Sequence, residues 1–152
     1  MEDNNKKVSI ILSVYNAQNT IGDAIESILN QTYDNIELLI LNDKSNDNTQ
    51  KIIETFESKK IKVFKNKKNL GLTKSLNILI NHSEGEYIAR QDADDVSFKD
   101  RLEKQIKLLE DKNLDFCTSR AKIKKTNKTI PRFSNYFSPY LVSKFKNPFI
   151  HG

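Results

Sequence analysis

Between Val8 and Leu109 short apolar runs alternate with stretches whose apolar residues recur at helical spacing, and this alternation narrows the possible folds more than any other feature. Val8 to Val14 is a run of strand length, and after Asn16 the residues Ile21, Ile25, Ile28 and Leu29 fall on one side of a helix. Ile36 to Leu41 is a second strand, followed by a polar loop and a helix carrying Ile52, Ile53 and Phe56. Ile61 to Phe64 is a third, followed by a helix with Leu72, Leu76 and Leu79. Tyr87 to Gln91 is a fourth; its helix carries Leu102, Ile106 and Leu109 behind Ser97 and Asp100, which have the spacing of a capping box. Leu114 to Ser119 reads as a fifth strand. Strand and helix units of this length join by right-handed crossovers, so the sequence predicts an α/β fold with a mainly parallel central sheet and helices on both faces.

With 152 residues, 37% hydrophobic and 30% charged, the chain has the size and composition of a folded domain rather than a disordered one. Its net charge of +5 comes from lysines interleaved with acids, and no nucleic-acid reader motif accompanies them, so no nucleic-acid partner is expected. The single cysteine, Cys117, supports neither an internal disulfide nor a cysteine zinc site and reads as a small core residue. No apolar run approaches the roughly 18 residues of a membrane span, and the cytoplasm is the expected compartment. Beyond Ser119 the pattern changes to a basic stretch with Lys122, Lys124, Lys125 and Lys128, then to Phe133, Tyr136, Phe137, Tyr140, Phe145 and Phe149. The sequence therefore divides into a core of residues 1–119 and a second region, 120–152, whose basic and aromatic character suits docking at a membrane surface.

Open parallel sheets bind ligands outside the carboxyl ends of their strands. That rule selects Ser13, Val14, Tyr15 and Asn16 at the end of the first strand, Asn42, Asp43, Lys44 and Ser45 at the end of the second, and Asp92, Ala93, Asp94 and Asp95 at the end of the fourth. Three carboxylates within four residues repel one another, and a hard divalent ion with a taste for oxygen, Mn²⁺ or Mg²⁺, would relieve this. The plain alternative is a solvated acidic turn that caps the next helix.

The run VSIILSVYNAQNTIGDAIESILNQTYDNIELLILNDKSNDNT, the later NLGLTKSLN, and GEYIARQDADD followed by DRLEKQ resemble the family 2 glycosyltransferases, over about residues 7–110. The resemblance implies a Rossmann-like GT-A fold, a nucleotide-diphosphate sugar as donor, and transfer to an acceptor glycan or lipid-linked saccharide, as in surface polysaccharide synthesis. It makes Asp92, Ala93 and Asp94 the DXD motif, with Asp92 on the nucleotide ribose and Asp94 on the metal. It makes Asp43 the acceptor of a hydrogen bond from the base and Tyr15 the residue stacked against the base, which together suggest uridine. Ser13 and Asn16 join the nucleotide site, Asp95 supports the acid loop, and Arg101 is either a contact near that loop or a structural residue. Two positions depart from the common pattern: Asn42 stands where a second acid is frequent, and Lys74 where an Arg is, so Lys74 offers the diphosphate a point charge but no fork.

The resemblance also implies inversion at the anomeric carbon, with the proton-accepting carboxylate in a later acidic motif that follows NPFIHG and so falls beyond Gly152. The chain as given is thus expected to bind metal and nucleotide sugar and to transfer sugar poorly. Asp47 and Thr49 are expected to cap the helix after the second strand, His82 to lie on the surface without a partner, and His151 to sit near the acceptor side. A sugar-nucleotide pyrophosphorylase would need a glycine-rich loop where YNAQNT stands, and a receiver domain an acid where Lys65 and Asn66 stand.

Overall fold

The computed structural model describes residues 6–123, 126 and 128–130. The order of elements is β1 (Val8–Val14), α1 (Ile21–Leu29), β2 (Ile36–Asn42), α2 (Thr49–Ile53), β3 (Ile61–Lys65), α3 (Leu72–Asn81), β4 (Tyr87–Arg90), α4 (Arg101–Lys112), β5 (Ala121–Lys122) and β6 (Thr129–Ile130). Strands β1 to β4 form one parallel sheet in the order β3-β2-β1-β4, with Ile10 opposite Leu38 and Ala89 in register. The chain divides after Glu103 into two compact units.

The order of strands dictates where the helices go. From β1 to β2 to β3 the chain steps one way across the sheet, and from β3 it returns past both to lie beside β1. With every crossover right-handed, the return step puts α3 on the face opposite α1 and α2. The packing agrees: Ile11, Leu39 and Leu41 on one face gather with Leu79 of α3, and Phe64, Leu76 and Ile78 pack around them. Ile10, Leu12, Leu38 and Ile40 point to the other face and are sealed from solvent, as are Ile21, Ala24, Ile25 and Ile28 of α1. Strands β1 and β2 are buried on both faces, and for that reason their centres, Ile10 to Leu12 and Leu38 to Leu41, read as apolar runs rather than alternating ones.

The amino end of the sheet is closed by a buried ionic knot. Ser9 Oγ donates to Glu37 Oε1 at 2.6 Å, the Glu84 N–H donates to the same oxygen at 2.8 Å, and Lys7 and Lys62 reach Glu37 Oε2 at 3.3 and 3.0 Å. Burial alone would raise the Glu37 carboxyl, but the bonds from Ser9, Glu84, Lys62 and Lys7 outweigh it and hold it at about 2. Gly85 crosses here so closely that a Cβ would stand 2.6 Å from Ser9 N and 2.7 Å from Lys7 O.

Several elements differ from expectation. Residues 114–119 form no strand: Asn113 turns to φ +48°, and the Asn113 and Leu114 N–H groups close α4 by donating to Glu110 and Leu109 carbonyls. Leu114 and Phe116 are then 45% and 60% exposed, with no apolar face left to bury in a sheet. Ser97 does not cap α4, which starts four residues later; its hydroxyl donates to Gln91 Oε1 and its N–H to Ser27 Oγ. Helix α2 stops at Ile53, short of Phe56. Cys117 is half-buried rather than in the core, and His82 is exposed but stacks on Phe64 at 4.6 Å. The aromatic run from Phe133 to Phe149, His151, Gly152, Lys124 and Lys125 lie outside the described residues. The expected position of the proton-accepting carboxylate, beyond Gly152, lies outside them as well.

Candidate functional site

The strand order reverses between β1 and β4, and ligands of open α/β sheets bind at that point, outside the carboxyl ends. A cleft of about 420 Å³ opens there. Ser13, Tyr15 and Asn16 line it from β1, and Asp92, Ala93 and Asp94 from β4. These six expected residues are therefore brought together. The far wall was not legible in the sequence: Asn19 and Thr20 lie just ahead of α1, and Leu72, read as a core residue of α3, is 48% exposed and lines the cleft instead.

The β1 side of the cleft is rigid because the loop after β1 is tied to the loop after β2. Asn16 takes φ +50°, a left-handed conformation that Asn tolerates better than most residues. Its N–H donates to Ser45 Oγ at 3.0 Å and its Oδ1 accepts the Asn46 N–H at 2.8 Å. Ala17 N–H donates to Thr49 Oγ1 and Gln18 N–H to Asp47 Oδ2. Asp47 also accepts the Thr49 N–H at 3.0 Å from one position ahead of the N-cap, which is Asn48 and makes no side-chain cap bond, whereas the Thr49 hydroxyl serves the neighbouring loop. This clasp presents Tyr15, 48% exposed, as a free aromatic face at the mouth of the cleft.

The acid loop is built from within by Gln91, only 2% exposed. Its Nε2 donates to the Asp92 and Asp95 carbonyls at 3.2 and 2.8 Å, and its Oε1 accepts the Ser97 hydroxyl at 2.7 Å. Asp95 N–H closes the turn onto the Asp92 carbonyl. A second polar side chain, Gln31, holds the helix that follows, accepting the Leu102 N–H and donating to the Phe98 carbonyl. Arg101 Nη1 donates to the Arg90 carbonyl at 3.3 Å, tying the start of α4 to the end of β4. Neither glutamine stands out in the sequence, because an amide declares its role only once its partners are in place.

The three carboxylates have different surroundings. Asp92 is gripped by Arg90, Nε to Oδ1 at 2.9 Å and Nη2 to Oδ2 at 3.0 Å. Asp94 is exposed. Asp95 is pushed up, first by burial and then by the charges of Asp94 and Asp92, against the pull of Arg101 and Arg90. The loop thus holds more negative charge than its own arginines neutralise, with oxygen donors only, and a hard divalent cation suits such a donor set. No group of three or more His, Cys, Asp or Glu forms a ready-made metal shell among the described residues. An ion held through Asp94 would complete its shell with substrate phosphate and water, the usual habit of Mg²⁺.

Asp43, Lys74, Asp95 and Arg101 are not among the residues lining the cleft. Asp43 is 2% exposed, and its carboxylate anchors the loop between β3 and α3: Oδ1 accepts from Asn66 Nδ2 and Leu70 N–H, Oδ2 from Gly71 N–H, at 2.7 to 2.8 Å. Burial raises this carboxyl, but those bonds and Ser75 prevail and lower it. Lys74 is exposed on the first turn of α3, two residues from Leu72.

The family model for glycosyl transferase family 2 matches residues 9–151. The chain belongs to that family. It is 48% identical over 107 residues to EpsE of Bacillus subtilis, covering 68% of this chain and 38% of EpsE. It is 36% identical over 126 residues to WfgD of Escherichia coli, a UDP-Glc:alpha-D-GlcNAc-diphosphoundecaprenol beta-1,3-glucosyltransferase, covering 83% of this chain and 50% of WfgD. The fold matches S. aureus TarS 1-349 in complex with UDP at a TM-score of 0.65 and 28% identity, over 69% of this chain and 32% of that one. The chain spans between about a third and a half of these family members.

Proposed function

We propose that this chain is the donor-binding part of an inverting, metal-dependent glycosyltransferase that takes a UDP-sugar and delivers the sugar to a hydroxyl of a glycan or lipid-linked saccharide. The observation that carries the reading is the meeting of Tyr15, Asp92 and Asp94 around one cleft at the strand-order reversal. Family membership supports it, as do WfgD, named for a UDP-Glc donor and a lipid-linked acceptor, and TarS, solved with UDP.

In this reading Tyr15 stacks on the base, with Ser13, Asn16 and Ala93 shaping the pocket around the nucleoside. Asp92 accepts from the ribose, and Asp94 holds Mn²⁺ or Mg²⁺ with Asp95 and Arg101 in support. A cation held there would supply Lewis-acid stabilisation of the departing diphosphate, a contribution of several kcal/mol. Lys74 adds a point charge from the α3 side. Asp43 would accept from a base N–H in addition to Asn66, Leu70, Gly71 and Ser75, which already occupy its carboxylate. Its main work is to fix the loop that carries Leu72. The acceptor's proton goes to a carboxylate other than the two in the cleft lining, which are committed to ribose and metal. Residues 1–119 form the donor side and 120–152 open the acceptor side.

Calorimetry with UDP tests the proposal. Wild type should bind UDP with Mn²⁺ present and lose about tenfold or more in affinity when Mn²⁺ is removed or in Asp94→Ala. Equal UDP binding with and without metal would contradict the metal-dependent reading.

A further inference from the structure

Arg90 ends β4 just ahead of the acid loop and has no part in the donor site as proposed. Its Nε and Nη2 edge grips the Asp92 carboxylate at 2.9 and 3.0 Å, and both side chains are largely shielded, at 25% and 20% exposure. The Arg90 carbonyl accepts from Arg101 Nη1, and the Gln91 N–H beyond it donates to the Ile11 carbonyl of β1, so the backbone that carries the guanidinium is fixed on both sides.

We infer that Arg90 is a positioning residue for the nucleotide ribose: it locks the Asp92 carboxylate in the orientation that accepts a ribose hydroxyl and withholds it from the cation at Asp94. The inference rests on the proposed role of Asp92 as the ribose ligand. Nε and Nη2 both lie 2.9 Å from Oδ1, and Nη2 lies 3.0 Å from Oδ2, so of the carboxylate's roughly four lone-pair sites the one left open is on Oδ2, for a ribose hydroxyl. Without the fork, Asp92 is one of three acids in a short loop and is drawn to whatever cation the loop binds. With it, the cluster divides its labour: Asp92 is neutralised by the protein, and Asp94 is left for the metal. Lysine in place of Arg90 keeps the charge but loses the planar two-point grip.

The test is affinity for UDP and for 2′,3′-dideoxyuridine diphosphate, at fixed Mn²⁺, for wild type, Arg90→Lys and Arg90→Gln, with thermal melts to check folding. Wild type is expected to favour UDP by about tenfold or more, the worth of a charge-assisted bond to a ribose hydroxyl. Both variants are expected to lose about tenfold for UDP while holding the dideoxy nucleotide within about twofold, so that the preference disappears. Variants that keep the wild-type preference, or that weaken both nucleotides alike while still folded, overturn the role of Arg90 alone. A wild type that does not distinguish the two nucleotides, or binds neither, overturns the ribose role of Asp92 and this inference with it. If Arg90→Gln melts, Arg90→Lys decides.

Discussion

Gln91 shows at the residue scale how the acid loop is held without any acid taking part. Its buried amide bonds two loop carbonyls and the Ser97 hydroxyl. A leucine there would take the Gln91 amide from the Asp95 carbonyl and the Ser97 hydroxyl, while the Asp92 carbonyl keeps the Asp95 N–H, at about 1 to 3 kcal/mol for each group that water cannot reach. Gln91→Leu should therefore lower the thermal midpoint and weaken Mn²⁺-dependent UDP binding together, as melts and calorimetry on one preparation would reveal. Unchanged UDP affinity would mean that the loop keeps its shape without the amide. The sequence made Asp92, Asp94 and Asp95 legible because charge of one sign crowded into four positions is conspicuous. It hid Gln31, whose partners lie up to 71 positions away, and Gln91 and Arg90, whose near neighbours become partners only once the loop turns back on itself. Asp43 was legible as a residue on the rim, but not its three protein bonds, because two of them come from backbone N–H groups that any residue carries.

At the scale of elements, the amino end of the sheet is governed by Glu37. Its carboxyl falls from an ordinary 4.5 unfolded to about 2 folded, so its bonds stabilise the folded state fully above pH 4.5, and that contribution drains away as pH falls toward 2. The amount at stake is roughly 3 kcal/mol. Denaturant unfolding of the wild type should show this acid limb, and Glu37→Gln, less stable at neutral pH, should lack it. An identical limb in both would assign the acid loss to other carboxylates. Gly85 sits beside the same knot, and Gly85→Ala must push a Cβ against Ser9 and Lys7 backbone atoms. A loss of about 2 to 4 kcal/mol is expected by denaturant titration, and a neutral result would show that the crossing can widen. The four sheet strands were legible to within a residue at each end, since the buried strands are mostly apolar, and α1, α3 and α4 were legible as elements because each carries an apolar stripe. The supposed fifth strand misled for the same reason in reverse: Leu114 and Phe116 look apolar enough to bury, yet the turn at Asn113 leaves both exposed.

For the whole molecule, the order β3-β2-β1-β4 is the central fact, because the reversal beside β1 is what places the ends of β1 and β4 on one cleft. The sequence predicted the class of fold and the strand ends at the rim, and the sheet order explains why only two of the three candidate ends meet. Asp43, at the end of β2, lies one strand beyond the reversal and turns to the loop after β3 instead. Where a nucleotide with its metal settles is therefore decisive. The most direct measurement is backbone amide NMR of the labelled protein, titrated with UDP in the presence of Mg²⁺ and then with traces of Mn²⁺. Shifts with UDP and Mg²⁺ should gather at Tyr15 to Ala17 and at Asp92 to Asp94, and Mn²⁺ should first broaden the amides around Asp94. Shifts confined to other parts of the sheet, or broadening that spares the Asp92 to Asp95 loop, would contradict it.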